Sequence, residues 1–244
     1  MSGRVLITGA TSGIGRQLAL DYRRAGWQVW GCGRDEARLQ ALADEGVTPL
    51  GFDARDSAAM AEVAAGLPTL DLLILNAGNC EYMDLTEGFD GALFARVIET
   101  NLIATGHALA AFLPLLGPGA RLAIVSSSVS WLPLPRAEAY GASKAALDYL
   151  ADTLRLELAG KRIGVTLIRP GFVQTPLTDK NDFPMPCLVT VEQAARAIMT
   201  GLAAGRHQIH FPRRFTWLLR LLGALPTGLW LRLGRTLVSK GRPS

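Results

Sequence analysis

Tyr140 and Lys144 stand four residues apart in a stretch with helical spacing, so their side chains rise from one face of a helix. A phenol beside an ammonium is proton-transfer chemistry. A free phenol, with a pKa near ~10, is a poor base at neutral pH, and a close positive charge favours the phenolate and lowers that value. The pair suits a reaction in which an alkoxide gains a proton or an alcohol loses one. Four hydroxyls crowd together just upstream, at Ser126, Ser127, Ser128 and Ser130. A serine hydroxyl aimed at a carbonyl oxygen would stabilise the charge that develops there.

A second group of residues points to a phosphate-bearing ligand. The apolar run Val5–Thr8 passes into Thr8-Gly9-Ala10-Thr11-Ser12-Gly13-Ile14-Gly15 and then directly into a helical pattern. A pyrophosphate can sit on a helix N-terminus only where the backbone approaches it closely. Glycines give that access and the tight turn, and the last one lets helix and strand pack together. The spacing is Gly-x3-Gly-x-Gly rather than the Gly-x-Gly-x2-Gly of many dehydrogenases. Its place in the first strand-turn-helix unit favours a dinucleotide site over a bare turn.

On these residues the chain resembles the short-chain dehydrogenase/reductase family, whose nucleotide turn reads Thr-Gly-x3-Gly-x-Gly and whose catalytic signature is Tyr-x3-Lys. The resemblance runs from residue 4 to about 211 and carries five motifs in order. It implies that Thr8, Gly9, Thr11, Ser12, Gly13, Ile14 and Gly15 surround the pyrophosphate side of the cofactor; Arg16, just after Gly15, reads as a positive charge near an adenosine 2′-phosphate. Asp53, with Ala54 beside it, stands where the family holds the adenine ring. Asn76-Ala77-Gly78 matches the motif beside the cofactor, and Pro170-Gly171 with Val173 and Thr175 matches the segment that meets the nicotinamide carboxamide. Asn101, within Glu99-Thr100-Asn101-Leu102, matches the helix asparagine of the catalytic set, which would hold a water linking Lys144 to solvent. Lys144 would also bond the nicotinamide ribose, so that it and Tyr140 border the cofactor too. The family most often places its serine thirteen residues before the tyrosine, which selects Ser127, with Ser128 as the alternative. The implied reaction is hydride transfer between nicotinamide and a carbonyl or secondary alcohol carbon, with Tyr140 handling the proton.

The end of the second strand faces the adenosine ribose and separates NAD from NADP. It reads Gly31-Cys32-Gly33-Arg34. Gly33 stands where NAD-preferring members carry an acid, and the Arg34 guanidinium can grip a 2′-phosphate through two parallel hydrogen bonds. The cofactor expected is NADP(H). Asp35 reads as the N-cap of the next helix.

These groups need a scaffold to converge, and the alternation of short apolar runs with helical patterns supplies one. Strands are expected at Val5–Thr8, Gln28–Cys32, Val47–Phe52, Asp71–Leu75, Arg121–Ser126, Gly164–Ile168 and Gln208–Phe211. Rich in Val, Ile and Leu without strict alternation, they read as strands covered on both faces. Helical segments include Ile14–Ala25, Asp35–Asp44, Phe89–Leu113, Tyr140–Ala159 and Val191–Gly205. The reading is an α/β fold: a doubly wound parallel sheet of about seven strands, Rossmann-like, with right-handed crossovers and an added C-terminal helical tail. Residues 1–212 form the dinucleotide-binding and catalytic domain, and residues 213–244 the tail.

Composition excludes several other classes. Hydrophobic residues make up 49% of the 244, and charged residues 19%, which rules out general disorder. Cys32, Cys80 and Cys187 are too scattered for a disulfide framework, and they form no metal-ligand spacing with His107, His207 and His210. No metal is expected. The charge-free stretch from Thr100 to Ala120 contains Asn101, His107, Pro114, Gly117 and Pro118, which suits a buried helix and turn rather than a membrane span. The apolar run opening at residue 4 leaves no room for a cleavable leader, so the expected location is cytoplasmic.

Substrate and partners are read from the variable parts. Phe183, Met185 and Leu188 after the carboxamide segment, with Trp131 and Leu132 beside the serines, suggest an apolar pocket for a small lipophilic carbonyl or alcohol substrate. By resemblance, the helices carrying Asn101–Phe112 and Tyr140–Leu158 form a homodimer or homotetramer, with Ala108, Ala111, Ala145, Leu147 and Leu154 as contact positions. The net charge of +4 hides an asymmetry: residues 193–244 hold nine basic side chains and no acidic one. Phe215, Leu218, Leu219 and Leu222 follow the i, i+3, i+4, i+7 pattern, and Pro226 separates a second apolar stretch around Trp230. Two short amphipathic helices would dock on the protein's own apolar surface or, second, lie peripherally on an anionic membrane. Nucleic acid is not an expected partner. Two other functions remain open on the same scaffold: a non-catalytic NADP-binding regulator, and a protein or membrane interaction module.

Overall fold

A computed structural model describes residues 2–240. Seven strands pair in parallel: β1 (Arg4–Ile7), β2 (Gln28–Gly33), β3 (Thr48–Gly51), β4 (Leu70–Leu75), β5 (Leu116–Val125), β6 (Gly164–Pro170) and β7 (Gln208–Phe211). Their order across the sheet is β3-β2-β1-β4-β5-β6-β7. The order reverses between β1 and β4, and the crevice beyond the carboxyl ends of those two strands is where open α/β sheets bind ligands.

Helices α1 (Gly13–Arg24), α2 (Glu36–Asp44), α3 (Ser57–Ala65), α4 (Gly91–Ile98), α5 (Ala104–Phe112), α6 (Glu138–Ala159) and α7 (Val191–Ala203) form the crossovers. Neighbouring residues of one strand serve opposite layers, as the two-residue pleat requires. Val5 and Ile7 of β1 pack with Leu18 of α1 and Ile198 of α7, while Leu6 packs with Met60 of α3, Phe112 of α5 and Leu147 of α6. Each such side chain, taken wholly out of water, contributes roughly 1.5–3 kcal/mol. This double coverage explains the unbroken apolar runs of the central strands. β3 departs from it: Thr48, Pro49 and Gly51 are exposed on an edge strand, where a residue without an N–H is tolerated.

Three boundaries differ from the sequence reading. The segment expected as one helix from Phe89 to Leu113 is α4 and α5 joined by a π-helical turn over Glu99–Ile103. β5 begins at Leu116, five residues early, because Leu116 pairs with Leu70 before the ladder shifts register to Leu72 and Arg121. β6 runs on to Pro170 against Phe211.

The tail forms α8 (Arg213–Gly223) and α9 (Thr227–Lys240). Leu219 and Trp230 are buried together with Leu132, and the Trp230 indole donates to the Pro133 carbonyl at 3.0 Å. The tail therefore lies on the body, fixed beside the serine-rich loop.

Candidate active site

The groove beyond β1 and β4 has a volume of about 690 Å³. Of the residues expected around a nucleotide, Thr8, Gly9, Thr11, Ser12, Gly13, Ile14, Arg34, Asp53, Ala54, Asn76, Ala77, Gly78 and Thr175 line it. Its floor is tied together by hydrogen bonds: the Thr8 hydroxyl accepts from the N–H groups of Asn76 and Ala77 at 2.9 and 3.1 Å. The Asn76 amide donates back to the Thr8 and Gly9 carbonyls. Gly9 has φ +65°, and a Cβ there would lie 2.8 Å from the Ala77 Cα. Gly15 does not line the groove. It lets α1 press on the turn, since a Cβ would fall 2.2 Å from the Gly9 carbonyl oxygen. Pro170, Gly171, Val173 and Arg16 also stand outside the lining, and Val173 is buried in the core.

The cradle fits a dinucleotide. Ser12, the N-cap of α1, makes no side-chain cap bond, and the first turn of α1 carries no acid. By contrast Asp35, Asp56 and Asp90 cap α2, α3 and α4 with their own carboxylates. The orphan N–H groups of α1 thus remain open to an anion, with no carboxylate to repel it. At the adenosine end Arg34, Arg38 and Arg55 line the groove together. Arg38 was not expected, although its i+4 spacing from Arg34 signals it. Asp53 is tied to Arg55 by bonds of 2.7 and 3.0 Å, which hold its carboxyl down at about 2. A Cβ on Gly33 would sit 2.3 Å from the Thr11 Cγ2, so an acid at this position requires Thr11 to move.

Ser127, Tyr140 and Lys144, expected to handle the proton, do not line the groove but gather behind Gly78, where a Cβ would lie 3.5 Å from the Lys144 nitrogen. Ser127 is the serine that neighbours the Tyr140 phenol closely enough to ease its shift, and both Ser127 and Ser128 are buried. The Ser127 hydroxyl also accepts from the Val129 N–H at the start of a one-turn 3-10 helix, which fixes its direction. The buried Lys144 ammonium donates to the Val125 carbonyl at 3.0 Å and lies 5.7 Å from the Tyr140 ring centre. Burial pulls Lys144 down to about 8, with Cys80 and Asp148 opposing the shift. In the chain without cofactor, desolvation pushes the Tyr140 phenol up, Cys80 adds to this, and the Ser127 hydroxyl opposes it, while the Lys144 ammonium is turned toward a main-chain carbonyl. A half-buried phenol that holds its proton can act as a proton donor.

Asn101 lies in the π-helical turn, fully buried. Its amide donates to the Asn79 carbonyl at 2.9 Å and to the Ser143 hydroxyl at 3.0 Å, and its Oδ1 accepts from the Asn79 N–H at 2.8 Å. Ser143 in turn donates to the Tyr140 carbonyl at 2.7 Å. Both amide donors are thus committed to protein groups, and the side chain clamps the loop following Gly78 to the helix that carries Tyr140.

Trp131 and Leu132 were expected in the substrate pocket. They form the seat of the tail with Leu219, Phe215 and Leu222, Trp131 stacks on the Arg169 guanidinium at 4.9 Å, and Leu132 also lines a cavity between the serine loop and α9. The apolar wall near Tyr140 is a chain of rings that the sequence reading missed in part. Tyr82 meets Phe183 at 5.1 Å, Phe183 meets Phe172 at 6.1 Å, and Phe172 meets Phe215 of α8 at 5.4 Å. Arg136 ties this wall to the serine loop through Asp182, at 2.8 and 3.0 Å. Among the described residues no group of three or more His, Cys, Asp or Glu could hold a metal ion.

Comparison with known proteins agrees with this geometry. Residues 4–184 match the short chain dehydrogenase family. An uncharacterized oxidoreductase of Myxococcus xanthus is 36% identical, covering 95% of this chain and 96% of its own. Sulfoacetaldehyde reductase of Chromohalobacter salexigens is 36% identical, covering 73% and 75%. Among solved structures, a short chain dehydrogenase from Burkholderia cenocepacia in complex with NADP superposes with a TM-score of 0.84 at 25% identity, covering 95% and 97%.

Proposed function

The chain belongs to the short-chain dehydrogenase/reductase family and is an NADP(H)-dependent oxidoreductase, and we propose that it reduces a lipophilic ketone or aldehyde with Tyr140 as proton donor. One observation carries the reading: Ser127 neighbours Tyr140, Lys144 is buried beside them with its ammonium 5.7 Å from the centre of the phenol ring, and a Cβ on Gly78, which lines the nucleotide groove, would lie 3.5 Å from the Lys144 nitrogen. When bound, the nicotinamide supplies the hydride.

The remaining work falls to this chain's own groups. The open N-terminus of α1 and the glycine turn hold the pyrophosphate, and Arg34 with Arg38 holds the 2′-phosphate. The Ser127 hydroxyl donates to the substrate carbonyl oxygen and stabilises the charge developing on it. Tyr140 gives its proton to the same oxygen, and its raised affinity for that proton keeps it loaded at neutral pH. Lys144 holds the ribose hydroxyls, and the clamp through Asn101 and Ser143 keeps the helix carrying both groups in register. The ring chain Tyr82–Phe183–Phe172–Phe215 supports an apolar substrate body. Intact Ser127, Tyr140, Lys144 and Asn101 argue against a non-catalytic regulator.

The test is NADPH oxidation against a panel of carbonyl compounds. Tyr140→Phe should keep the fold and NADPH affinity while turnover falls by at least ~100-fold, the usual span of general acid catalysis. Ser127→Ala should cost far more activity than Ser128→Ala. Normal turnover by Tyr140→Phe overturns the mechanism.

We also propose self-association through α5 and α6. Of the contact positions expected from resemblance, Ala108 and Leu147 are buried in the core, and Ala111 and Leu154 pack partly buried against it. The exposed apolar groups on these helices and the π turn are Ile103, Tyr149 and Leu156, and these support the reading.

A further inference from the structure

Both sides of the tail helices are apolar, and only one is used. The inner side is seated on the body through Leu219, Trp230 and their neighbours. On the outer side Trp217, Leu218 and Leu221 of α8 are more than half exposed and Leu229 of α9 nearly so, whereas Leu231 lines a cavity between α9 and the serine loop. Of the twelve exposed large hydrophobics among the described residues, half fall between Trp217 and Leu233, which marks a patch rather than scatter.

Exposed arginines edge this patch at Arg213, Arg214, Arg220 and Arg232. None of the four is in an ion pair among the described residues, and no Asp or Glu follows residue 192. Arg213 and Arg214 open α8, whose first turn has no acid, so two cations face the positive end of a helix dipole. An anion in front of them would relieve that opposition.

A tryptophan–leucine stripe bordered by unpaired guanidiniums matches a partner that is apolar within and anionic at its boundary. We infer that the outer face of α8 and α9 docks on an anionic lipid surface. Among the described residues no helix is long and apolar enough to cross a membrane, so the contact is peripheral. Nucleic acid offers the charge but no place for the leucines. A second copy joined by the same face would set arginines against arginines, because a two-fold contact is self-complementary. The inference rests on the tail alone and stands or falls separately from the reductase reading.

The experiment is sedimentation of the full chain with phosphatidylcholine vesicles, with and without phosphatidylglycerol. The protein should pellet with the phosphatidylglycerol vesicles at low salt and be released by added salt. Leu218→Glu/Leu221→Glu should lower partitioning by at least roughly tenfold, the scale of losing one buried leucine, while NADPH oxidation with a water-soluble ketone is unchanged. Arg213→Gln/Arg214→Gln, which spares every apolar contact, should lower it too. A wild-type chain that stays in the supernatant at low salt overturns the proposal. So does a leucine variant that pellets normally, or one whose only change is a smaller assembly in light scattering.

Discussion

Replacing Asn101 by alanine cuts three hydrogen bonds in a site with no exposed surface. Ser143 keeps its bond to the Tyr140 carbonyl, so the groups left stranded are the N–H and the carbonyl of Asn79. Each unsatisfied buried group costs about 1–3 kcal/mol. Gly78, one residue away, is exposed on the wall of the groove, so water can reach part of the gap and the sum falls near ~3 kcal/mol. For a chain of this size each kcal/mol lowers the melting temperature by roughly 2–4 °C, which gives a drop of about 6–12 °C. Thermal unfolding followed by circular dichroism reads this directly, with Asn101→Asp as a companion. The aspartate keeps an acceptor for the Asn79 N–H but sets an oxygen against the Asn79 carbonyl, so it should fare no better. A melting point for Asn101→Ala within about 2 °C of wild type would refute the clamp, because no cost of the size argued could then exist.

Arg34→Ala should weaken NADPH binding by about 1–3 kcal/mol and leave NADH nearly unchanged, as read by fluorescence titration; equal losses for both would remove Arg34 from the phosphate site. Lys144 titrates at about 8 because burial disfavours its charge, so below that value the ammonium predominates and above it the neutral amine does. NADPH affinity of the cofactor-free protein should therefore fall as pH rises through about 8, and a profile that stays flat across that range would contradict the assignment.

Most of the scaffold was legible because a buried parallel strand needs an apolar run and little else. Val5, Leu6 and Ile7 announce themselves by composition, and glycine and proline mark their ends. The ligand-side residues were legible where one short segment carries a whole function, as in Thr8–Gly15 and Tyr140–Lys144. What stayed hidden depends on contacts between distant segments. Tyr82, Phe172 and Phe215 each read as an ordinary apolar residue, and only the folded chain lines them up. Trp131 and Leu132 had the right chemistry for a substrate wall, but the tail docks on them first. The π turn at Glu99–Ile103 leaves no mark in the periodicity, since a single wide turn shifts the helical face by less than one residue type can report. The desolvation that dominates at Tyr140 in the cofactor-free chain cannot be read from the spacing of two charges.

Phe215 touches Phe172, and a Cβ on Gly171 would meet its ring at 3.0 Å. A residue of the tail thus props the segment that the family resemblance sets beside the nicotinamide. Protein chains emerge from the ribosome N-terminus first. The glycine turn and the fourth strand are available early, whereas the apolar wall stays incomplete until α8 has been made. The ring wall is thus the last part of the groove's surroundings to be completed as the chain is made.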